Sequence, residues 1–129
     1  MTTCGLWLAP RGLVAVLFDG VDRSHSLRVS LTDDARWGLA QRLAAVGADL
    51  VVDESILKVD PVAFVARHAG VTVWVAGPPL VASLRCAAGL TRRGARPTAA
   101  MLARLPAVPW LRSLLRRLEP PYARQITLL

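Results

Sequence analysis

Apolar residues recur along this chain in two rhythms, and the changes between them mark out its elements. Cys4 to Ala9 and Leu13 to Phe18 are almost wholly apolar. Short runs of that kind, bounded by turn residues, read as buried strands. The turns are Pro10-Arg11-Gly12 and Asp19-Gly20. Ser26 to Leu31 alternates instead, with Leu27, Val29 and Leu31 on one side, as in a half-buried edge strand. Three strands joined by short turns make an antiparallel meander. The period then becomes helical. Thr32 is a good N-cap, and Asp33 and Asp34 follow in the first turn, where the helix dipole favours negative charge. Leu39, Ala40, Leu43, Ala44 and Val46 form the apolar stripe, with Trp37 at its margin. Arg36 falls inside the stripe's arc, but in the first turn, where it can escape to solvent. Gly47 is a natural C′ residue. Asp49-Leu50-Val51-Val52-Asp53-Glu54-Ser55 follows, an apolar run ending in two adjacent carboxylates. It reads as a strand buried on both faces of a parallel sheet.

Asp60-Pro61 opens a second helix that Gly70 closes. Val71 to Ala76 is a fifth strand. Pro78 or Pro79 starts a helix that runs to about Gly89, and the connector Thr91-Arg92-Arg93-Gly94-Ala95-Arg96-Pro97 follows. Thr98 caps a short helix that ends before Pro106. Pro109 opens a last amphipathic helix over 110–118, with Leu111, Leu114, Leu115 and Leu118 on one side and Arg112 and Arg116 toward the other. Pro120-Pro121 ends it. The apolar tail Gln125–Leu129 suits an edge strand or a partner-binding segment. The order β-β-β-α-β-α-β-α predicts a ribonuclease H-like α/β fold: a five-stranded mixed sheet with helices on both faces. One domain spans residues 1–129, with its core in 4–105 and a helix and tail in 106–129.

Composition sharpens this picture. The chain has 129 residues, 53% of them hydrophobic, and a mean hydropathy of +0.41, which excludes general disorder. The longest uncharged apolar-rich run, Val71 to Leu84, contains Gly77-Pro78-Pro79 and is shorter than the ~20 residues a membrane span needs. The first apolar stretch has no basic region before it and is broken at Pro10-Arg11-Gly12, unlike a signal peptide. A cytoplasmic protein is expected, with Cys4 and Cys86 as reduced thiols. The net charge of +7 is uneven. Residues 85–129 hold nine arginines against one acid, Glu119, a net +8, and the remainder sums to −1. Guanidinium groups pair bidentately with phosphate, so an arginine excess of this kind points to nucleic acid. Lys58 is the chain's one lysine, a compositional bias that explains the choice of arginine but not its clustering.

Asp53 and Glu54 sit at a strand end, where open α/β sheets carry their functional crevice. Strand alternation sends them to opposite sides, so they are candidate catalytic or metal-binding acids but not a dyad. Asp19 and Asp22 read as turn residues. His25, in a turn, and His68, at a helix end, have no ligand-spaced partner. Ser24, Ser55 and Ser83 lack a nucleophile elbow, and no phosphate-binding glycine motif is present. The strongest functional residues are Arg92, Arg93 and Arg96, on a loop able to follow a phosphate backbone, with Arg85 one helix away.

Residues 70–105, GVTVWVAGPPLVASLRCAAGLTRRGARPTAAMLARL, resemble the RuvC-like domain of the DEDD insertion-sequence transposases, the family that includes the pilin-gene invertase. Gly77-Pro78 takes the place of that family's Asn-Pro, Gly89 its helix end, and Ala99 to Arg104 its final Leu-Ala-Arg helix. Val51-Val52-Asp53-Glu54-Ser55-Ile56 falls on its strand Val-Met-Glu-Ala-Thr-Gly, and Gly5-Leu6-Trp7-Leu8 on its first strand, Gly-Ile-Asp-Val. The resemblance covers roughly residues 4–105. It implies a ribonuclease H-like fold and two divalent ions held by carboxylates. Of the family's four acids, only the fourth-strand one is retained, as Asp53 with Glu54 beside it. The first is replaced by Trp7, the late pair falls on Ala95 and Thr98, and Lys-Thr becomes Arg93-Gly94. Trp7 then reads as core packing in a vacated metal site. The leading expectation is a non-catalytic domain that binds DNA or RNA, possibly derived from a mobile element. The alternative is a protein-interaction scaffold or homodimer using residues 110–129. The third reading is a residual nuclease, and Mg²⁺ is expected only under that reading.

Overall fold

The meander forms where the turn chemistry dictates. In the computed structural model, which describes residues 2–89 and 94–119, strands β1 (Thr3–Ala9) and β2 (Gly12–Phe18) pair antiparallel around Pro10-Arg11. β3 (Ser24–Val29) adds antiparallel to β2. In the loop between them the Asp19 carboxylate accepts the backbone N–H groups of Val21, Asp22 and Arg23 at 2.8, 3.1 and 3.2 Å. Those bonds, that from Val21 first, hold the Asp19 carboxyl below the usual carboxylate range. β4 (Asp49–Asp53) lies parallel to β1 on its other side, and β5 (Val73–Ala76) lies parallel to β4. A short β6 (Arg116–Arg117) pairs antiparallel to β5. The sheet order is β3-β2-β1-β4-β5-β6. Its first five strands have the order and senses of the ribonuclease H-like arrangement. The sheet has six strands rather than the five expected.

Side chains alternate across a strand, so each strand feeds two layers. On one face Cys4, Leu6, Ala15, Leu50, Val52 and Val75 meet Leu39 and Leu43 of α1 (Asp33–Val46) and Val62 and Ala66 of α3 (Val62–His68). A single turn, α2 (Ile56–Val59), precedes α3. On the other face Val14, Val16, Val51 and Ala76 meet Val81 of α4 (Pro78–Ala87), Ala99 and Leu102 of α5 (Ala95–Arg104) and Leu111 of α6 (Pro109–Arg112). Gly5 lets α5 lie directly on β1. A Cβ there would stand 1.8 Å from the Ala99 carbonyl oxygen and 2.5 Å from the Ala103 nitrogen. The Thr3 hydroxyl donates to the Ala103 carbonyl and fastens the far end of α5.

Thr32 and Gly47 bound α1 as its sequence dictates: the Thr32 hydroxyl accepts the Ala35 N–H, and Gly47 adopts φ 66°. The buried stripe is narrower than expected, because Ala44 is exposed and Val46 is 59% exposed. Arg36 does not escape to solvent. Its Nε and Nη2 donate to Asp60 Oδ1 and Oδ2 at 3.0 and 2.9 Å, with 12% and 4% of the two side chains exposed. Asp60 also accepts the Val62 N–H at 2.9 Å, so it caps α3 while tethering α1. The bond to Asp60 raises the Arg36 pKa above its ordinary value.

Four local readings yield to tertiary structure. Leu31 lies beyond β3 and is exposed, and His25 is on the strand rather than in a turn. Thr98 is no cap: it stands inside α5, with its side chain fully buried. Pro109 starts only one helical turn, after which the chain extends into β6. The expected stripe over 110–118 is divided accordingly: Leu111 and Leu115 pack on one face, Leu118 on the other, and Leu114 is 56% exposed. A strand that passes the sheet edge sends successive residues to opposite layers, which a helix cannot do. Residues 110–118 therefore do not form the continuous apolar helix face expected of them. Arg92, Arg93 and residues 120–129, including the tail Gln125–Leu129, lie outside the described residues. Cys4 is buried, Cys86 is exposed, and both are free. Among the described residues no helix is long and apolar enough to cross a membrane.

Candidate nucleic-acid interface

β1 and β4 run side by side in parallel, with Leu6 opposite Val52, so their carboxyl ends open at one place. One residue further along, β4 ends at Asp53, while β1 runs on through Trp7, paired there only with Val14 of β2. Asp53 is buried and turned onto its own loop: Ser55 Oγ donates to Oδ2 at 2.9 Å and the Ser55 N–H to Oδ1 at 3.3 Å. Glu54 is half-buried and accepts Arg116 Nη2 at 3.1 Å, which ties the β4 end to β6. Asp53 and Glu54 are thus adjacent in sequence but engaged with different partners.

Two hollows share Trp7 and Leu8. The smaller, about 270 Å³, lies over Asp53, Ser55, Ile56 and Val59. The larger, about 650 Å³, separates the β1–β2 turn at Pro10 from the start of α5, with Arg28 and Arg96 on its walls. Arg28 comes from β3, opposite Val14 in the register, and is exposed. Arg96 is exposed in the first turn of α5, where the helix dipole presents its positive end. The Arg85 guanidinium, on α4, lies 5.2 Å from the centroid of the Trp7 ring. Arg85 thus lies over the indole, and Arg28 and Arg96 line the larger hollow together with it. Of the four arginines expected to matter, the fold brings Arg85 and Arg96 to this cleft.

Other C-terminal arginines have structural partners. Arg104 lies over Phe18 at 4.3 Å, and Arg112 and Arg117 lie over Trp74 at 5.4 and 5.7 Å. Trp74 Nε1 in turn donates to Asp49 Oδ2 at 3.0 Å. Much of the +8 segment is thus spent on covering the aromatic face of the sheet. Arg28 was missed because it stands outside that segment. The signal available was its place on the polar side of an alternating strand, which turns out to face α5.

The donors do not fit the two-ion centre that the family resemblance implies. Trp7, Ala95 and Thr98 supply no carboxylate, and Asp53 is held by Ser55. The buried Thr98 hydroxyl has no partner among the described residues and is a neutral group. No cluster of three or more His, Cys, Asp or Glu gathers among the described residues.

No family model matches the chain, and no curated protein matches its sequence. Among solved structures it is similar to the Thermus thermophilus RuvC structure, at 19% identity over 92% of this chain and 100% of that one, with a TM-score of 0.49. The fold assignment rests on the order and senses of the strands.

Proposed function

We propose that this chain is a non-catalytic ribonuclease H-like domain that binds nucleic acid across the cleft at the carboxyl ends of β1 and β4. The observation that carries this reading is the larger hollow lined by Trp7, Arg28 and Arg96, with Arg85 over the Trp7 ring. Guanidinium groups match phosphate oxygens bidentately, and the first turn of α5 adds the positive end of its dipole. Arg92 and Arg93 stand just before Gly94 in sequence and add to the basic character of that segment. Trp7 in the first-strand position, and Asp53 engaged with Ser55, support binding without hydrolysis. Descent from a mobile-element nuclease is proposed on the resemblance of residues 70–105 alone.

Fluorescence anisotropy of labelled nucleic-acid probes across a salt series tests the reading. Binding is expected to weaken steeply with salt. Arg28→Ala/Arg96→Ala should weaken it about tenfold or more and reduce the log–log salt slope by about 0.7–0.9 per lost phosphate contact. Binding insensitive to salt and to both substitutions overturns the proposal. Incubation with Mg²⁺ is expected to leave the probes intact. Magnesium-dependent nicking that Asp53→Asn abolishes would overturn the non-catalytic part.

A further inference from the structure

We infer that the cleft takes a single strand, with an unpaired base stacked on Trp7 and the adjoining phosphate between Arg28 and Arg96. This rests on the nucleic-acid reading above and narrows it to one class of ligand. The larger hollow is recessed, and its volume of about 650 Å³ falls within the range of roughly 300–1,000 Å³ that suits an enclosed small-molecule group. Its walls are mixed: Leu8, Pro10, Val14 and Pro97 stand beside Trp7 on the apolar part, and its cations are Arg28 and Arg96. That division suits a nucleotide, which has a flat apolar base and a charged phosphate. It does not suit a bare phosphate backbone, which would want cations along the whole groove.

A duplex keeps its bases stacked inside and offers this cleft only its backbone. The indole at the floor would then have no partner. An unpaired base can leave its stack and lie on an aromatic ring, as proteins that track single strands use it. Trp7 is suited to that role. Arg85 lies over its ring and the side chain packs against the Ala9, Val14, Val16 and Ala99 cluster, so its orientation is set before any ligand arrives. The smaller hollow, over Ile56 and Val59, shares Trp7 and Leu8 and offers room for the neighbouring residue of the strand. These contacts are common to DNA and RNA.

The test uses the full chain and three labelled probes of equal length: single-stranded DNA, single-stranded RNA of the same sequence, and blunt duplex DNA. Anisotropy is read for the wild type, Trp7→Leu, Trp7→Phe and Arg28→Ala/Arg96→Ala, with tryptophan fluorescence read in parallel. At least one single strand is expected to bind about tenfold or more tighter than the duplex, and comparing the two names the nucleic acid. Trp7→Leu should weaken single-strand binding about 5- to 150-fold, weaken duplex binding far less, and remove most of the ligand-induced quenching. Trp7→Phe should retain the preference, because it keeps a stacking ring, and should also lose the quenching. This second variant keeps the test decisive if Trp7→Leu fails to fold. Suppose instead that the duplex binds as tightly as either strand, or that Trp7→Phe quenches like the wild type. If Arg28→Ala/Arg96→Ala still weakens binding, the single-strand inference then fails while the binding reading stands. If no probe binds in a salt-dependent manner, both fail.

Discussion

The two faces of the sheet come from the same strands but bury their side chains differently. Under α1 and α3 the buried strand residues are aliphatic or small, and the Arg36–Asp60 pair at the rim is nearly sealed from water. Under α4, α5 and α6 the strands contribute Trp7, Phe18 and Trp74, each with a guanidinium over its ring. Aliphatic surface can be covered only by more apolar surface. An aromatic ring can also be covered by an arginine whose stem packs while its charge stays near water. The first face is therefore a closed core. The second is a core with a basic outer layer, open where Trp7 meets the two hollows. Strand alternation lets one short sheet feed two layers of different chemistry.

The sharpest way to break the second face is at Gly5. Gly5→Val drives a side chain into the α5 backbone, which cannot rotate away, and should cost about 4 kcal/mol or more. The guanidinium chloride midpoint reads this directly, and a midpoint like the wild type would show that α5 can leave β1 at little cost. On the first face the matching break is Asp60→Ala. It leaves the mostly buried Arg36 with only the exposed Asp33 as a partner and removes the acceptor for Val62 N–H, at a cost of about 3 kcal/mol in the same measurement. An unchanged midpoint would place the stability of that face in its apolar contacts alone.

A smaller effect separates the faces by pH. Burial pushes the Cys4 thiol from 9.0 up to about 12, so the unfolded chain loses this proton first as pH rises. The stability held by the neutral thiol is complete below about pH 9. It is then lost at about 1.4 kcal/mol per pH unit as pH climbs toward 12. Denaturant midpoints at pH 8 and pH 10 should fall further for the wild type than for Cys4→Ala, whatever the substitution costs at pH 8. The smallest effect concerns the arginine layer itself. Arg104→Ala uncovers Phe18 and should cost about 0.5–1 kcal/mol. Arg42→Ala, on exposed α1, should stay within about 0.5 kcal/mol. Equal losses for the two would deny that stacking distinguishes the second face.

The elements legible in the sequence are those whose causes are local. β1, β2, β4 and β5 declare themselves as apolar runs between turn residues. α1 is bounded by Thr32 and Gly47, and α4 by Pro78 and Gly89, through backbone groups only a few residues away. Their order was enough to set the ribonuclease H-like arrangement. At the candidate site, the strand end at Asp53 and the basic character around Arg85 and Arg96 were legible for the same reason, whereas Trp7, expected as core packing, lines two hollows. Residue type and position along an element belong to the sequence.

What the sequence left open depends on partners distant along the chain. Leu111, Leu114, Leu115 and Leu118 fit a helical stripe as well as they fit a turn and a strand. The free edge of β5 decided between them, because Leu118 N–H finds the Val73 carbonyl there. Thr98 has the chemistry of a cap, but the helix starts at Ala95 and the close approach of α5 to Gly5 buries it. Arg36 and Asp60 are 24 positions apart, and neither announces the other. The cleft itself is of this kind. Arg28, Trp7 and Arg96 come from three elements, and only the docking of α5 on the β1–β2 hairpin makes them neighbours. Local periodicity and capping determined which segments fold, and the packing of those segments decided which side chains face each other, since that depends on distances no local pattern encodes.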